Sequence, residues 1–237
     1  MVVWLFSGGG EAEVRGLVPF LKANFPEYQF ERKSPVRRKP GPRPGKKYQQ
    51  NYGITGKGLV KEIPKRLRAS VAKGETCHII FIFDDLDCKN HNKQQQAYLD
   101  AVNAVDGISD IKKIVGFASP EIESWIIADW DNSVARHPDF RNRHNAMRHW
   151  LSNNKKIPFN RPESFGKYNA KKDTCDEKLS EAIIQSSMLS PEDQFKPKYS
   201  KAKHTPELLL DLKPIEIQKK CPLFRDIYYY FSHCNSL

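Results

Sequence analysis

The segment His78-Ile-Ile-Phe-Ile-Phe-Asp-Asp-Leu-Asp87 constrains the fold of this chain more than any other. Its apolar run, Ile79 to Phe83, leads directly into Asp84, Asp85 and Asp87. A short apolar run without alternation reads as a strand covered on both faces, as in the middle of a parallel sheet. In open α/β sheets, ligands bind beyond the carboxyl ends of the strands. The three acids therefore fall where a site is expected. Packing gives no reason to crowd carboxylates there, because each raises the cost of ionising its neighbours. A divalent cation removes that cost, so the stretch predicts a Mg²⁺ or Mn²⁺ site at a central strand end.

The flanking pattern supports such a sheet. Val2 to Ser7 reads as a first strand and Ser7-Gly-Gly-Gly10 as a turn. Val14, Leu17, Val18 and Leu21 recur at helical spacing from Glu11 to about Asn24, with Pro19 as a possible kink. Tyr28 to Lys33 reads as a strand, Leu59 to Ala72 as a helix, Asn92 to Ala104 as a helix and Lys113 to Ala118 as a strand. Ser119-Pro-Glu121 opens another helix, with a Ser cap, Pro at the first helical position and acids in the first turn. Regular alternation of strands and helices means a parallel sheet covered by helices. The expected fold class is α/β over residues 1–131. From residue 132 to 237 no strand is evident, while Asn145–Leu151 and Lys178–Met188 look helical. That region reads as a mostly helical C-terminal appendage packed on the sheet.

No apolar run approaches the ~20 residues that span a bilayer. The apolar N-terminus is too short for a signal peptide and lacks a basic leader. The cysteines, at 77, 88, 175, 221 and 234, show neither zinc spacing nor a disulfide framework. The chain is therefore expected to be cytoplasmic, without a membrane partner. Cys88, beside the acids, is either a small residue in a tight turn or a ligand.

The net charge of +11 is concentrated in one block. Arg32 to Lys73 carries fourteen Lys and Arg against the single acid Glu62, so the remainder is slightly acidic. Within it, residues 34–57 hold Pro35, Pro40, Pro42 and Pro44 with no apolar period, which reads as a long exposed loop. Arg37, Arg38, Lys39, Arg43, Lys46, Lys47 and Lys57 lie in this loop, and Lys61, Lys65 and Arg68 on the following helix. Tyr48 and Tyr52 are interleaved among them. Cations hold phosphates while aromatics stack on bases, so these ten basic residues are the expected nucleic-acid contacts. A solvated insertion without a partner is the plainer alternative.

A parallel sheet would gather three acidic groups at one edge: Glu11 after the first strand, Asp84, Asp85 and Asp87 after the central one, and Glu121 and Glu123 after the fourth. Oxygen ligands from several loops suit Mg²⁺ or Mn²⁺, which can polarise a phosphodiester and activate water. Glu11, Asp85, Asp87 and Glu123 are the candidate metal ligands and catalytic residues, with Asp84 and Glu121 behind them. Glu11 and Glu121 also sit at helix starts, where an acid complements the helix dipole without any metal. Gly8-Gly-Gly10 lacks the Lys-Ser/Thr of a nucleotide P-loop, so the glycines are read as permitting a tight turn. His137, His144, His149 and His204 have no zinc-like spacing and are read as surface or core residues.

These residues resemble a known family. Gly-Gly-Glu11 after a first strand, followed by a strand ending Asp85-Leu-Asp87, is similar to the Toprim domain of topoisomerases, primases and OLD-family nucleases. Ala118-Ser-Pro-Glu-Ile-Glu-Ser-Trp-Ile-Ile-Ala-Asp129 resembles the Pro-Glu-x-Glu-x-Trp block of a Toprim-like family of abortive-infection phage-defence proteins. Lys201-Ala-Lys-His and Cys221-Pro-Leu-Phe-Arg225 also fit that family. The glycine usual after the Asp-x-Asp pair is replaced by Cys88-Lys-Asn-His91. The resemblance implies a Mg²⁺-dependent nuclease working in anti-phage defence beside an ATPase partner. It places Glu11 as metal ligand or general acid/base, Asp85 and Asp87 as metal ligands, and Glu123 as a further ligand or supporting acid. An inert Toprim-like module that binds nucleic acid or a partner protein is the alternative. A nucleotide-handling enzyme acting on a small phosphate substrate is a third.

Overall fold

The computed structural model describes residues 1–10, 12–35, 55–189 and 191–233. Glu11 and the loop residues Arg37, Arg38, Lys39, Arg43, Lys46, Lys47, Tyr48 and Tyr52 lie outside the described residues. Strands β1 (Val2–Ser7), β2 (Gln29–Ser34), β3 (Ile79–Asp85) and β4 (Lys112–Ala118) form one parallel sheet in the order β2-β1-β3-β4. β3 is hydrogen-bonded on both sides, and Ile79 to Phe83 are buried, as an unbroken apolar run requires. From β1 the chain steps to β2 on one side and then crosses back to β3 on the other side of β1. The topological switch point therefore lies between the carboxyl ends of β1 and β3.

The helices are α1 (Val18–Asn24), α2 (Lys57–Ala72), α3 (His91–Asn103), α4 (Glu123–Ala128), α5 (His144–Asn153), α6 (Leu179–Ser186), α7 (Lys201–Asp211), α8 (Pro214–Lys220) and α9 (Pro222–His233). Alternation along β3 sends its side chains into two cores. Ile80 and Ile82 pack with Leu59, Ile63 and Leu67 of α2 and Tyr98 and Val102 of α3. Ile79, Phe81 and Phe83 join Leu21, Trp125, Leu209, Phe224 and Phe231 on the other face. Phe231 pins α9 to the sheet, with ring centroids 5.1 Å from Phe81 and 5.3 Å from Phe30. The α/β sandwich expected from the sequence is present, with the C-terminal helices supplying part of its second covering layer.

Four local expectations are corrected. The segment expected as one helix from Glu11 to Asn24 is, over its described part, a π-helical turn at Glu13–Leu17 followed by α1. Pro19 has no N–H to return to the preceding turn, and the ladder widens ahead of it. α4 starts at Glu123, not at Ser119-Pro120: Ser119 Oγ donates to Glu163 O, and Asp85 Oδ1 accepts from Ile122 N at 2.8 Å. A cap from another strand replaced the local one. The C-terminal region does contain strands, the two-residue pair β5 (Tyr168–Asn169) and β6 (Thr174–Cys175), too short to show a period. Finally, Cys88 and Cys175 form a disulfide across 87 residues, with Cα atoms 5.2 Å apart. A bonded sulfur is not available as the thiolate ligand considered for Cys88.

One buried acid outside the sheet edge has a measurable consequence. Glu163 accepts from Leu223 N at 2.9 Å and Phe224 N at 3.3 Å, capping α9. Burial nevertheless pushes its carboxyl up to about 7, against the two backbone donors that favour the anion. The folded state holds this proton after the unfolded chain has lost it, so stability falls as pH rises from about 4.5 to about 7. Nearby Asp226 adds to the shift and Arg225 opposes it. Glu163→Gln is expected to flatten the stability profile over that window by about 2 kcal/mol. Denaturant unfolding at pH 5 and pH 8 measures it; equal slopes in wild type and variant contradict the assignment.

Candidate functional site

The carboxyl edge of the sheet begins with adjacent acids sent to opposite faces by strand alternation. Asp84 points toward α2 and α3. It accepts from Gly56 N at 2.9 Å and from the Tyr98 hydroxyl. Burial raises its carboxyl to about 6. It thus ties the entry of α2 to the end of β3. Asp85 points the other way, toward α4 and α7, where its Oδ1 caps Ile122 N and its Oδ2 lies 3.9 Å from Lys201 Nζ.

Around Lys201 the acids converge. Its ammonium is 2.9 Å from Glu121 Oε1, 3.2 Å from Glu123 Oε2 and 3.9 Å from Asp85 Oδ2. Glu121 also accepts from Ser180 N and Ser180 Oγ, each at about 3.1 Å. Glu123 is fully buried, and its Oε1 accepts from Thr205 Oγ1 at 2.8 Å. Tyr199 OH and Thr205 Oγ1 are 2.7 Å apart, extending the network. Glu13, 4 % exposed, completes the group from the β1 side and accepts from Gly10 N.

Several acids and one ammonium in a buried space cannot all be ionised cheaply. Burial is the largest influence on each. It raises Glu13 to about 7 and holds Asp85 well above, and Glu123 above, the usual carboxylate range. Glu121 differs: burial pushes upward, but Lys201 and the Ser180 donors outweigh it and hold its carboxyl below the ordinary value. For Lys201, burial favours the neutral amine, yet Glu123, Asp85 and Glu121 prevail and raise its pKa. Lys201 and Glu121 thus favour their charged forms, while burial shifts Glu13, Asp85 and Glu123 the other way.

Glycines make the approach possible. Gly9 has φ +89°, and a Cβ there would lie 2.1 Å from the Glu13 carboxyl carbon. A Cβ on Gly8 would lie 2.0 Å from Asp84 Oδ1. The turn after β1 thus needs glycine to lie against both acids.

The structure brings Asp85, Glu121 and Glu123 together as a group. Asp87 is turned elsewhere: β3 ends at Asp85, Asp87 has φ +50°, and its Oδ1 accepts from Thr174 Oγ1 of β6 at 3.2 Å. Glu13, Lys201 and Thr205 were not singled out as site residues by sequence reasoning. The available signal was spacing: Lys201, His204 and Thr205 recur at i, i+3 and i+4, one face of a helix. His204 is a core residue, its Nδ1 accepting from Ser200 N and its Nε2 3.1 Å from Asp139 Oδ2. On α2, Lys57, Lys61, Lys65 and Arg68 are exposed along one stripe that starts at the site edge, next to Gly56.

A divalent cation requires several oxygen donors aimed at one point. Asp85, Glu121 and Glu123 are so aimed, but at the Lys201 ammonium. Among the described residues, no group of three or more His, Cys, Asp or Glu side chains is arranged to hold a metal ion. As they stand, these residues do not fit one. A cavity of about 290 Å³ lies apart from the cluster, beside β4, against Phe117, Leu223 and Ile227. No described helix is long and apolar enough to cross a membrane. No family model, curated protein or solved structure matches the chain.

Proposed function

We propose that this sheet edge is a site for cleaving nucleic-acid phosphodiesters, of the Toprim type. One observation carries the reading: acids that follow β3 and β4 gather on Lys201 at the switch point of a parallel sheet, where such folds bind ligands. The exposed stripe of Lys57, Lys61, Lys65 and Arg68 supports a polyanionic substrate, since it begins at the same edge. The ammonium of Lys201, with its side chain 38 % exposed, offers a positive charge to an incoming phosphate. Glu13, near neutral in its proton affinity, is a group that can hold or release a proton there. The family resemblance names Glu11, Asp85, Asp87 and Glu123 as ligands of a divalent ion, but Asp87 is turned to Thr174 and Asp85 and Glu123 face Lys201, so the described ones do not fit one and no step here runs through it. An ATPase partner and a cytoplasmic role in phage defence belong to the same reading.

A second reading, an inert module that binds nucleic acid or a partner protein, is favoured by the Lys201–Glu121 pair, which already neutralises part of the cluster. Cleavage of mixed DNA and RNA substrates in Mg²⁺, Mn²⁺ or EDTA separates the two. The wild type is expected to cut, and Asp85→Asn to cut at least about 100-fold more slowly. Binding without cutting in any buffer supports the inert module. Equal cutting by wild type and Asp85→Asn removes Asp85 from the chemistry.

A further inference from the structure

We propose that Lys201 is the resident cation of this site: its ammonium takes the position that a divalent ion would take among Asp85, Glu121 and Glu123. The inference rests on reading this edge as the functional centre, and it says how that centre is charged. Three acids reached from two strand ends point at one nitrogen, at 2.9, 3.2 and 3.9 Å. Glu123 Oε2 is fully buried and faces the ammonium at 3.2 Å, while Oε1 of the same carboxyl accepts from Thr205 Oγ1. A carboxylate oxygen buried this deeply is costly unless a cation faces it, and here the cation is the ammonium.

The fold fixes the ammonium there. α7 packs on the π-helical turn that carries Glu13, and Gly16 is its seat: a Cβ on Gly16 would lie 2.6 Å from Leu209 Cδ1 and 2.9 Å from Pro206 Cα. One turn along α7, Thr205 donates to Glu123, so the helix holds the same acid at two points. A tethered ammonium offsets part of the acids' charge and presents N–H donors to a phosphate without needing a free ion. It does not lower the pKa of a bound water as a divalent metal does. Any metal used by the wild type therefore sits away from Glu123.

The test is calorimetric titration of Mn²⁺ into the full chain, with melting temperature as a second reading. The wild type is expected to show no Mn²⁺ binding that Glu123→Gln removes. Lys201→Ala vacates the position and is expected to bind one Mn²⁺ at least about tenfold more tightly than wild type, with a melting temperature raised by the ion. Adding Glu123→Gln to Lys201→Ala should abolish the gain. Should the alanine variant not fold, Lys201→Gln keeps the methylene packing and takes the same titrations. Mn²⁺ bound by wild type and lost in Glu123→Gln overturns the proposal, whatever the variants do. So does a folded, neutral variant at position 201 that gains no Mn²⁺. These readings need no turnover, so failure of the cleavage assay and failure of this proposal are seen separately.

Discussion

Trp125→Ala is expected to lower the free energy of unfolding by about 3–5 kcal/mol. In a domain with a total stability of about 5–15 kcal/mol, that is a large share. Trp125 is fully buried on α4, with ring centroids 4.7 Å from Phe224, 5.3 Å from Phe83 and 5.9 Å from Phe20. It therefore joins β3, α9 and α1 at one point. α4 is only six residues long, too short to hold its own helical form, so packing must supply its stability. The same helix begins with Glu123, and losing the indole should loosen the cluster as well as the core. Trp125→Phe, which retains a ring, should cost about 1–2 kcal/mol. Denaturant unfolding monitored by circular dichroism reads both. A loss below about 1 kcal/mol for the alanine would mean that α4 is held by something other than this aromatic contact.

Glu121→Ala carries the second large effect, about 3 kcal/mol. Glu121 is 3 % exposed and joins three elements: it precedes α4, accepts from Ser180 at the first turn of α6, and pairs with Lys201 of α7. Alanine leaves the Ser180 N–H without its acceptor, and a buried donor without a partner is costly. Lys201 keeps Glu123 and Asp85, which limits the loss. Glu121→Gln still offers an oxygen to Ser180 N and should lose about 1 kcal/mol. The pH dependence identifies the charge. Because the folded carboxyl titrates below its ordinary 4.5, its contribution is fully present above that pH and disappears as pH falls through the lowered value. Both variants should lose that acid-side component. An unchanged wild-type-like acid transition in Glu121→Gln would exclude the ion pair as its source.

The parts of the fold legible in the sequence are those set by local pattern. The run from Ile79 to Phe83 reads as a covered strand, and it is paired on both sides. The apolar period of α2 and the alternation of strands with helices were likewise local. Boundaries failed where a distant residue intervened. α4 begins at Glu123 because Asp85, in another element, caps Ile122 N. The pairing of Cys88 with Cys175 joins residues far apart in sequence, and nothing in their separate neighbourhoods announces it. β5 and β6 are too short for a period of two to register.

The site divides in the same way. Adjacency in sequence made Asp84, Asp85 and Asp87 a group, but strand geometry separates them. Asp84 faces α2 and α3, Asp85 faces α4 and α7, and Asp87, past the end of β3, meets Thr174. The sequence by itself determined a parallel sheet with acids at its carboxyl edge, because side-chain period and apolar runs are local properties of the chain. Only the tertiary structure decided which acids meet and that Lys201, more than 100 residues from β3, stands among them. Burial and charge act through space, and the distances that set them exist only once α7 has docked on the sheet.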